Sequence, residues 1–288
     1  SSLVDRAFRD NLDLRRSWAL LKESKASARQ AFAQRLPNVS AETAYQRTEQ
    51  PSLPEQLQDQ IDKNQLSLTF QMSYQVDLWG RIANQHQAAK LSARAARQDA
   101  EAMAITISSE VAGAYFDVVY YRSRENLLRD QLEASQRYLE LTQLRLAQGA
   151  STALDVNQQR QQVQSIKGRL NQVTANRKAA AHRLAVLVGE PPQTQLAGDR
   201  QQLPEMPVSP EPGVPTDLLT QRPDVEAALL RLKAADKRTA AAVKSLLPSL
   251  SISVNPGYLA AELAELFSSF FIRGSATLAQ PLFDGGQR

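Results

Sequence analysis

The chain contains no cysteine and only two histidines in 288 residues. Without cysteine there are no disulfides and no thiolate metal sites, which suits an oxidising compartment without proving one. His86 and His182 stand alone, with no second ligand three or four residues away, so no metal site is expected. Aromatic residues make up 6% and all hydrophobic residues 42%, a lean supply for a compact globular core of this length. Charge of one sign is not concentrated either. The 34 basic and 30 acidic residues are interspersed and leave a net +4, so the clustered cationic footprint of a nucleic-acid binder is missing. No run approaches about 18 consecutive apolar residues, which on that criterion excludes a transmembrane helix. Barrel strands are short and alternating, and escape that test. There is no Ser/His/Asp set, phosphate loop or convergent carboxylate pair, so neither an enzyme nor a cofactor is expected.

What is present is repetition. Asn11-Leu12-Asp13-Leu14 recurs 211 residues later as Arg222-Pro223-Asp224-Val225, and Leu36-Pro37-Asn38-Val39-Ser40 recurs at the same shift as Leu247-Pro248-Ser249-Leu250-Ser251. Val76-Asp77-Leu78-Trp79-Gly80-Arg81 has a counterpart in Pro281-Leu282-Phe283-Asp284-Gly285-Gly286. A helix, a Leu-Pro break and a strand have been built twice, the mark of units that cannot bury their faces alone.

The first repeat, residues 1–188, opens with a helical pattern from about Asp10 to Arg35, which Pro37 ends. A weak strand follows over 39–47, then a polar loop with Pro51 and Pro54. The strand over 66–76 is the clearest in the chain. Leu66, Leu68, Phe70, Met72, Tyr74 and Val76 take one face, and Ser67, Thr69, Gln71, Ser73 and Gln75 take the other. Its eleven residues suit a tilted membrane strand, and equally a half-buried strand of a soluble sandwich. From Arg81 to Gln148 only Gly113 interrupts an otherwise Gly- and Pro-free helical stretch of roughly 100 Å at about 1.5 Å per residue.

A reversal at Gln148-Gly149-Ala150-Ser151-Thr152 leads into a returning helix, completing a hairpin over 81–188. Val156, Val163, Leu170 and Leu184 keep a heptad seam broken at Arg177, with Ile166, Val173, Ala180 and Leu187 in the second seam position and Gln159 the other polar exception. The outgoing helix answers with Leu132, Leu139 and Leu146, and carries a second row through Leu127, Ala134, Tyr138 and Leu141. Two stripes require two neighbours. The span 189–215 holds seven of the fourteen prolines and reads as a connector. The second repeat, 216–288, restarts a helix near Thr216 or Pro223 and adds weaker strands over 250–254 and 274–282.

Four strands do not close a membrane barrel, which needs about eight, so the sheet is expected to be shared among copies around a rotation axis, twelve strands in a trimer. The chain resembles the outer membrane factor family, the TolC and OprM type of efflux channel. The resemblance rests on Tyr74 through Arg81, on Gly149 through Val156, on Leu184 through Gly189 with Pro192, and on Val214-Pro215-Thr216-Asp217-Leu218-Leu219-Thr220-Gln221-Arg222-Pro223-Asp224-Val225. That last run, with Leu278 through Gly286, is most similar to the OprM branch.

The resemblance implies a mainly α protein with a small β part: a long coiled-coil hairpin forming an α-barrel in the periplasm, and strands of a trimeric transmembrane β-barrel in the outer membrane of a Gram-negative bacterium. It implies a homotrimer that meets outer-membrane lipid, a periplasmic adaptor and an inner-membrane transporter, and that has no part in nucleic-acid binding. Leu66, Leu68, Phe70, Met72, Tyr74 and Val76 become the membrane-facing strand, and Gly149, Ala150, Ser151, Thr152 and Leu154 the adaptor-docking tip. Asp155 becomes a member of the polar network that holds the tip shut; an acidic residue in a first helical turn also simply suits the helix dipole. Trp79 and Tyr74 fit either an interfacial girdle or junction packing, and Arg160, Gln161 and Gln164 either a wet lumen or a solvated face.

Family members of this branch begin with a lipid-modified Cys ahead of the first helix and carry a second hairpin after the counterpart of Gly286, so this chain is expected to be a fragment with a truncated second repeat. The rival reading is a soluble periplasmic coiled-coil adaptor. Such a protein is expected to flank one hairpin with lipoyl-like and small barrel domains, and the 211-residue repeat speaks against it. The exported substrate is not legible.

Overall fold

A computed structural model of the chain describes residues 3–48, 63–194, 196 and 221–285. The loop with Pro51 and Pro54, most of the 189–215 connector, Thr216 and Gly286 lie outside the described residues. The protein is mainly helical with one small antiparallel sheet. It divides into two units, one of residues 1–20 and 98–224, the other of 21–97 and 225–288.

The elements run α1 (Leu3–Asp10), α2 (Leu12–Ala33), β1 (Asn38–Thr48), β2 (Lys63–Val76), α3 (Arg81–Ala147), α4 (Ala153–Leu187), α5 (Pro223–Lys244), β3 (Ser249–Ala260), a 3₁₀ turn (Leu263–Ser268) and β4 (Phe270–Ala279). The repeat holds to the residue: α2 and α5 each have 22 residues and β3 begins 211 residues after β1. Even the closing bonds recur, with Leu36 N donating to Ala33 O at 3.0 Å and Leu247 N donating to Lys244 O at 3.2 Å.

Three expectations are refined or corrected. The helix expected from about Asp10 to Arg35 is α2, and a separate helix, α1, precedes it, parted from it where Asn11 turns its side chain on the backbone. Its Oδ1 accepts from Leu14 N at 2.9 Å, as an N-cap does, and its Nδ2 donates to Leu187 O at 2.8 Å. The strand expected over 250–254 runs on through Pro256 and Gly257 to Ala260, and the one expected over 274–282 is Phe270–Ala279, leaving Pro281 and Leu282 outside it. The Pro-Gly pair lies inside the strand. The β2–β3 ladder lapses opposite Asn255 and Pro256, as a residue without an N–H requires, while pairing with β4 continues through Pro256↔Ile272. At Gly257 a Cβ would meet Leu68 O at 2.8 Å and the Phe271 ring at 2.9 Å, so close approach demands glycine. Third, one stretch of α3 reaches a mean hydropathy of 1.2 over 18 residues, long and apolar enough by composition to cross a membrane. Averaging tolerates scattered polar residues that an unbroken-run criterion does not. In that helix Ile107, Val111, Ala114 and Val118 are buried with Leu184, Leu187 and Val188 at the end of α4 and Ala7 of α1.

In the first unit these residues form one apolar cluster, and Leu128, Ile166 and Val173 form another further along the hairpin. In the second unit the helices meet through small residues: Ala88, Ala93 and Ala95 of α3 and Ala234 and Ala241 of α5 are buried. The Phe32 and His86 rings lie 5.3 Å apart, which gives His86 an aromatic neighbour.

Candidate functional site

The sheet order is β1-β2-β3-β4, all antiparallel, and register alone sorts its side chains. Leu66, Leu68, Phe70 and Met72 stand opposite Tyr45, Thr43, Ala41 and Val39 of β1. On the other side Met72, Tyr74 and Val76 stand opposite Val254, Ile252 and Leu250, which in turn stand opposite Gly274, Ala276 and Leu278. Of these residues all but Thr43 are apolar or aromatic, and the face ends in the polar pair Arg47 and Asn64. The alternate face carries Ser40, Glu42 and Gln46, then Gln65, Ser67, Thr69, Gln71, Ser73 and Gln75, Ser249, Ser251, Ser253 and Asn255, and Arg273 with Ser275 and Thr277, with Ala44, Leu259 and Phe271 among its apolar members. Its polar groups pair with one another: Gln71 Nε2 donates to Glu42 Oε2 at 2.8 Å and the Ser253 and Ser275 hydroxyls lie 2.8 Å apart.

Neither face is covered. Every residue of β1 is exposed, and Phe70 and Met72 at the middle of the apolar face are 43% and 44% exposed. A half-buried sandwich strand would show one shielded face, and none exists among the described residues. The outer edges of β1 and β4 have no neighbouring strand in the sheet order. One end of the apolar face gathers aromatics, with Tyr258 5.3 Å from Phe267 and 5.5 Å from Phe270.

At the opposite end β2 turns into α3. Asp77 caps that helix, its Oδ1 accepting from Ile82 N at 3.0 Å and its Oδ2 from Ala83 N at 2.7 Å. Gly80 has φ +72°, a conformation open to glycine at little cost, as has its repeat counterpart Gly285 at +66°. Trp79 is tied to the second repeat, Nε1 donating to Pro248 O at 2.7 Å.

The hairpin tip is closed by two local motifs. Gly149 at φ +75° donates N–H to Leu146 O at 3.0 Å while Ala150 N–H reaches Arg145 O at 2.8 Å, a Schellman end to α3. Thr152 then starts α4 with a capping box. Asp155 N donates to Thr152 Oγ1 at 3.2 Å and Thr152 N donates to Asp155 Oδ2 at 2.9 Å. The Ser151 and Thr152 hydroxyls add bonds to the same oxygen at 3.1 and 2.7 Å. The Thr152 backbone N–H first, then the Thr152 and Ser151 hydroxyls, hold the Asp155 carboxyl below its ordinary pKa. Leu154 beside it is solvent-exposed, as are Arg160, Gln161 and Gln164.

Along the hairpin the expected seam is filled: Val156, Val163, Ile166, Val173, Leu184 and Leu187 are buried. The second row of α3 is not, since Leu127, Tyr138 and Leu141 all remain exposed. Arg177, the break in the heptad, has a partner the sequence reading missed. Its Nε donates to Glu125 Oε2 at 2.6 Å, while Glu125 Oε1 accepts from Arg129 at 2.6 Å and from Thr174 Oγ1 at 3.3 Å. The Glu125 side chain is only 5% exposed. The signal was present, for counting back seven from Leu132 lands on Glu125. Among the described residues no group of three His, Cys, Asp or Glu side chains is placed to hold a metal ion.

The family model described as outer membrane efflux protein matches residues 3–190. The chain is 30% identical, over 99% of its length, to the pyoverdine export outer membrane protein OpmQ of Pseudomonas aeruginosa, and 29% identical to the outer membrane protein OprJ of the same organism. It spans 61% and 60% of those two proteins. Among solved structures it superposes on a membrane protein from Pseudomonas aeruginosa with a TM-score of 0.87 at 28% identity, covering 99% of this chain and 66% of that one. On the CmeC outer membrane channel of Campylobacter jejuni the TM-score is 0.86 at 22% identity, covering 99% of this chain and 62% of that one, a likeness of fold.

Proposed function

Because the chain belongs to the outer membrane efflux protein family, we propose that it is part of a passive outer-membrane conduit, a homotrimer that serves as the exit duct of a tripartite efflux pump and performs no chemistry. One observation carries this reading: a four-stranded sheet with one continuous apolar face, one polar face, and both edges unpaired in the sheet order. In lipid, unpaired strand edges are costly, and a closed barrel removes them. Three copies give twelve strands, with the apolar face turned to lipid and the polar face to water. Leu66, Leu68, Phe70, Met72, Tyr74 and Val76 are then the membrane-facing strand.

The exposed second row of α3 is the surface for further helices of the periplasmic tunnel. The tip residues Gly149, Ala150, Ser151, Thr152 and Leu154 meet a periplasmic adaptor that joins the duct to an inner-membrane transporter. Leu154 supports this, an exposed leucine at the end of a hairpin whose turn is rigidly capped. Asp155 contributes to the closed tip through the cap it completes, and its position at the outer end of that cap suits a wider polar network. Splaying the tip requires partners that bind the open arrangement better than the closed one.

Reconstitution into planar bilayers, with oligomeric state measured in detergent, tests the reading. A trimer with steady ohmic conductance is the expected result. A monomer that forms no pore, and whose Phe70 is shielded from lipid-borne quenchers, would overturn it.

A further inference from the structure

The turn from β2 into α3 and the turn from α5 into β3 enclose a cleft of about 410 Å³. Gln75 and Ser249 of the polar face of the sheet line it, beside Val76 at the end of the apolar face. Its charge is lopsided. Arg81 and Lys244 are in the wall, and Asp77 is the only carboxylate there. That carboxylate is committed, one oxygen to Ile82 N and the other to Ala83 N. Arg81 is held by neutral groups, donating to Gln75 Oε1 at 3.0 Å and Gln85 Oε1 at 3.4 Å, which orients the guanidinium without neutralising it. Lys244 Nζ sits against the turn, 3.3 Å from where a Cβ of residue 80 would be, and glycine there leaves the ammonium its place. Beside the cations stands an apolar wall of Trp79 and Leu247, the indole pinned by its bond to Pro248 O.

Two cations without a carboxylate counter-ion, next to a fixed aromatic plane, match a ligand with a negative head and a greasy body. We infer that this cleft is a transit subsite for amphiphilic anions, with a carboxylate or phosphate head between Lys244 and Arg81 and the apolar part on Trp79 and Leu247. The inference rests on the conduit reading, since the polar face lines a duct only when the sheet closes. A subsite of this kind holds cargo weakly and favours anions over cations where the helical tunnel meets the barrel.

The test uses the chain in a non-ionic detergent with Trp18→Phe, which leaves Trp79 as the sole indole reporter. Two probes share a tail and differ in head, decanoate and decyltrimethylammonium, each below its aggregation concentration. Decanoate is expected to shift Trp79 emission saturably, and decyltrimethylammonium to do so at least tenfold more weakly. Lys244→Met is expected to weaken decanoate about tenfold, and Lys244→Glu to reverse the preference, with helix content by circular dichroism unchanged in both. Equal response to the two probes, or decanoate binding that Lys244→Glu leaves intact, overturns the inference. Because binding is read in detergent, a silent bilayer recording with intact decanoate selectivity sinks the conduit alone, and normal conductance without selectivity sinks the subsite alone.

Discussion

The hairpin and the sheet are both two-faced, yet among the described residues only the hairpin packs one of its apolar stripes. The inner stripe of α3 meets α4 over buried Val163, Ile166 and Val173. The sheet has an equally continuous apolar stripe over Leu68, Phe70 and Met72, and among the described residues Phe70 and Met72 at its middle stay exposed. The difference lies in what each element can do for itself. A helix satisfies its own backbone and needs only a stripe to cover, so a turn and a second helix suffice. A sheet of four strands leaves two edges and two faces, which a single chain of this composition does not close.

The sharpest way to break the contrast is to place a charge on each face of the sheet. Phe70→Arg puts a cation in the middle of the apolar face, and at the midplane of a membrane such a change costs about 2–4 kcal/mol in every subunit. Gln71→Arg, one residue on, faces the polar side and is expected to be tolerated. The measurement is the fraction of protein that inserts into liposomes and resists extraction. If the two variants insert alike, the faces are not lipid and water, and the comparison with the hairpin loses its meaning.

A smaller effect probes the filled seam. Glu125→Ala removes the carboxylate that compensates Arg177 and leaves that cation half-buried, at a cost of about 3 kcal/mol. Replacing both members, Glu125→Leu with Arg177→Leu, is expected to recover most of that stability, because well-packed apolar side chains of similar size substitute for a buried pair. Urea unfolding of the parent, Glu125→Leu, Arg177→Leu and the double variant closes a cycle that reads the coupling directly. A double variant as unstable as Glu125→Ala would show that the pair does more than fill the seam, for instance by fixing the axial register of α3 against α4.

Legibility followed the same division. Periodicity in Leu66 through Val76 and in Val156 through Leu187 reflects forces that act locally, so both elements stood out. The repeat announces α5 and β3 but leaves the helix start at Thr216 or Pro223 and the strand start at residue 250, where the elements begin at Pro223 and Ser249, the positions of Leu12 and Asn38. What escaped depends on distant atoms. The sequence pattern ends the strand at Val254 because nothing in the neighbourhood of Pro256 and Gly257 announces that β4 accepts the proline or that the Phe271 ring needs the missing Cβ. Glu125 was hidden for a related reason: a single acid among leucines looks like noise until Arg177 is brought beside it. The cleft at the junction joins residues more than 160 positions apart, Arg81 and Lys244, and no local pattern links them.

The smallest effect lies at the tip, where the two helices of the hairpin meet a turn closed by its own hydrogen bonds. Thr152→Ala deletes the hydroxyl that caps α4, which should cost about 1 kcal/mol and fray the helix start without touching the seam. Hydrogen exchange at the amides of Ala153, Leu154 and Asp155 reports this locally. The pH dependence follows from the lowered carboxyl. Asp155 titrates below its ordinary value of 3.8 in the folded tip, so its contribution is fully present above that value and is lost as pH falls through the folded pKa. Tip protection is therefore expected to be flat through neutral and mildly acidic pH and to drop only in strong acid. In Thr152→Ala the Oγ1 bond to Oδ2 is gone and the carboxyl returns toward its ordinary value, so the acid limb of the profile moves upward. A profile with the same midpoint in both proteins would mean that the capping box does not hold the tip, and that its closure depends on contacts with other copies instead.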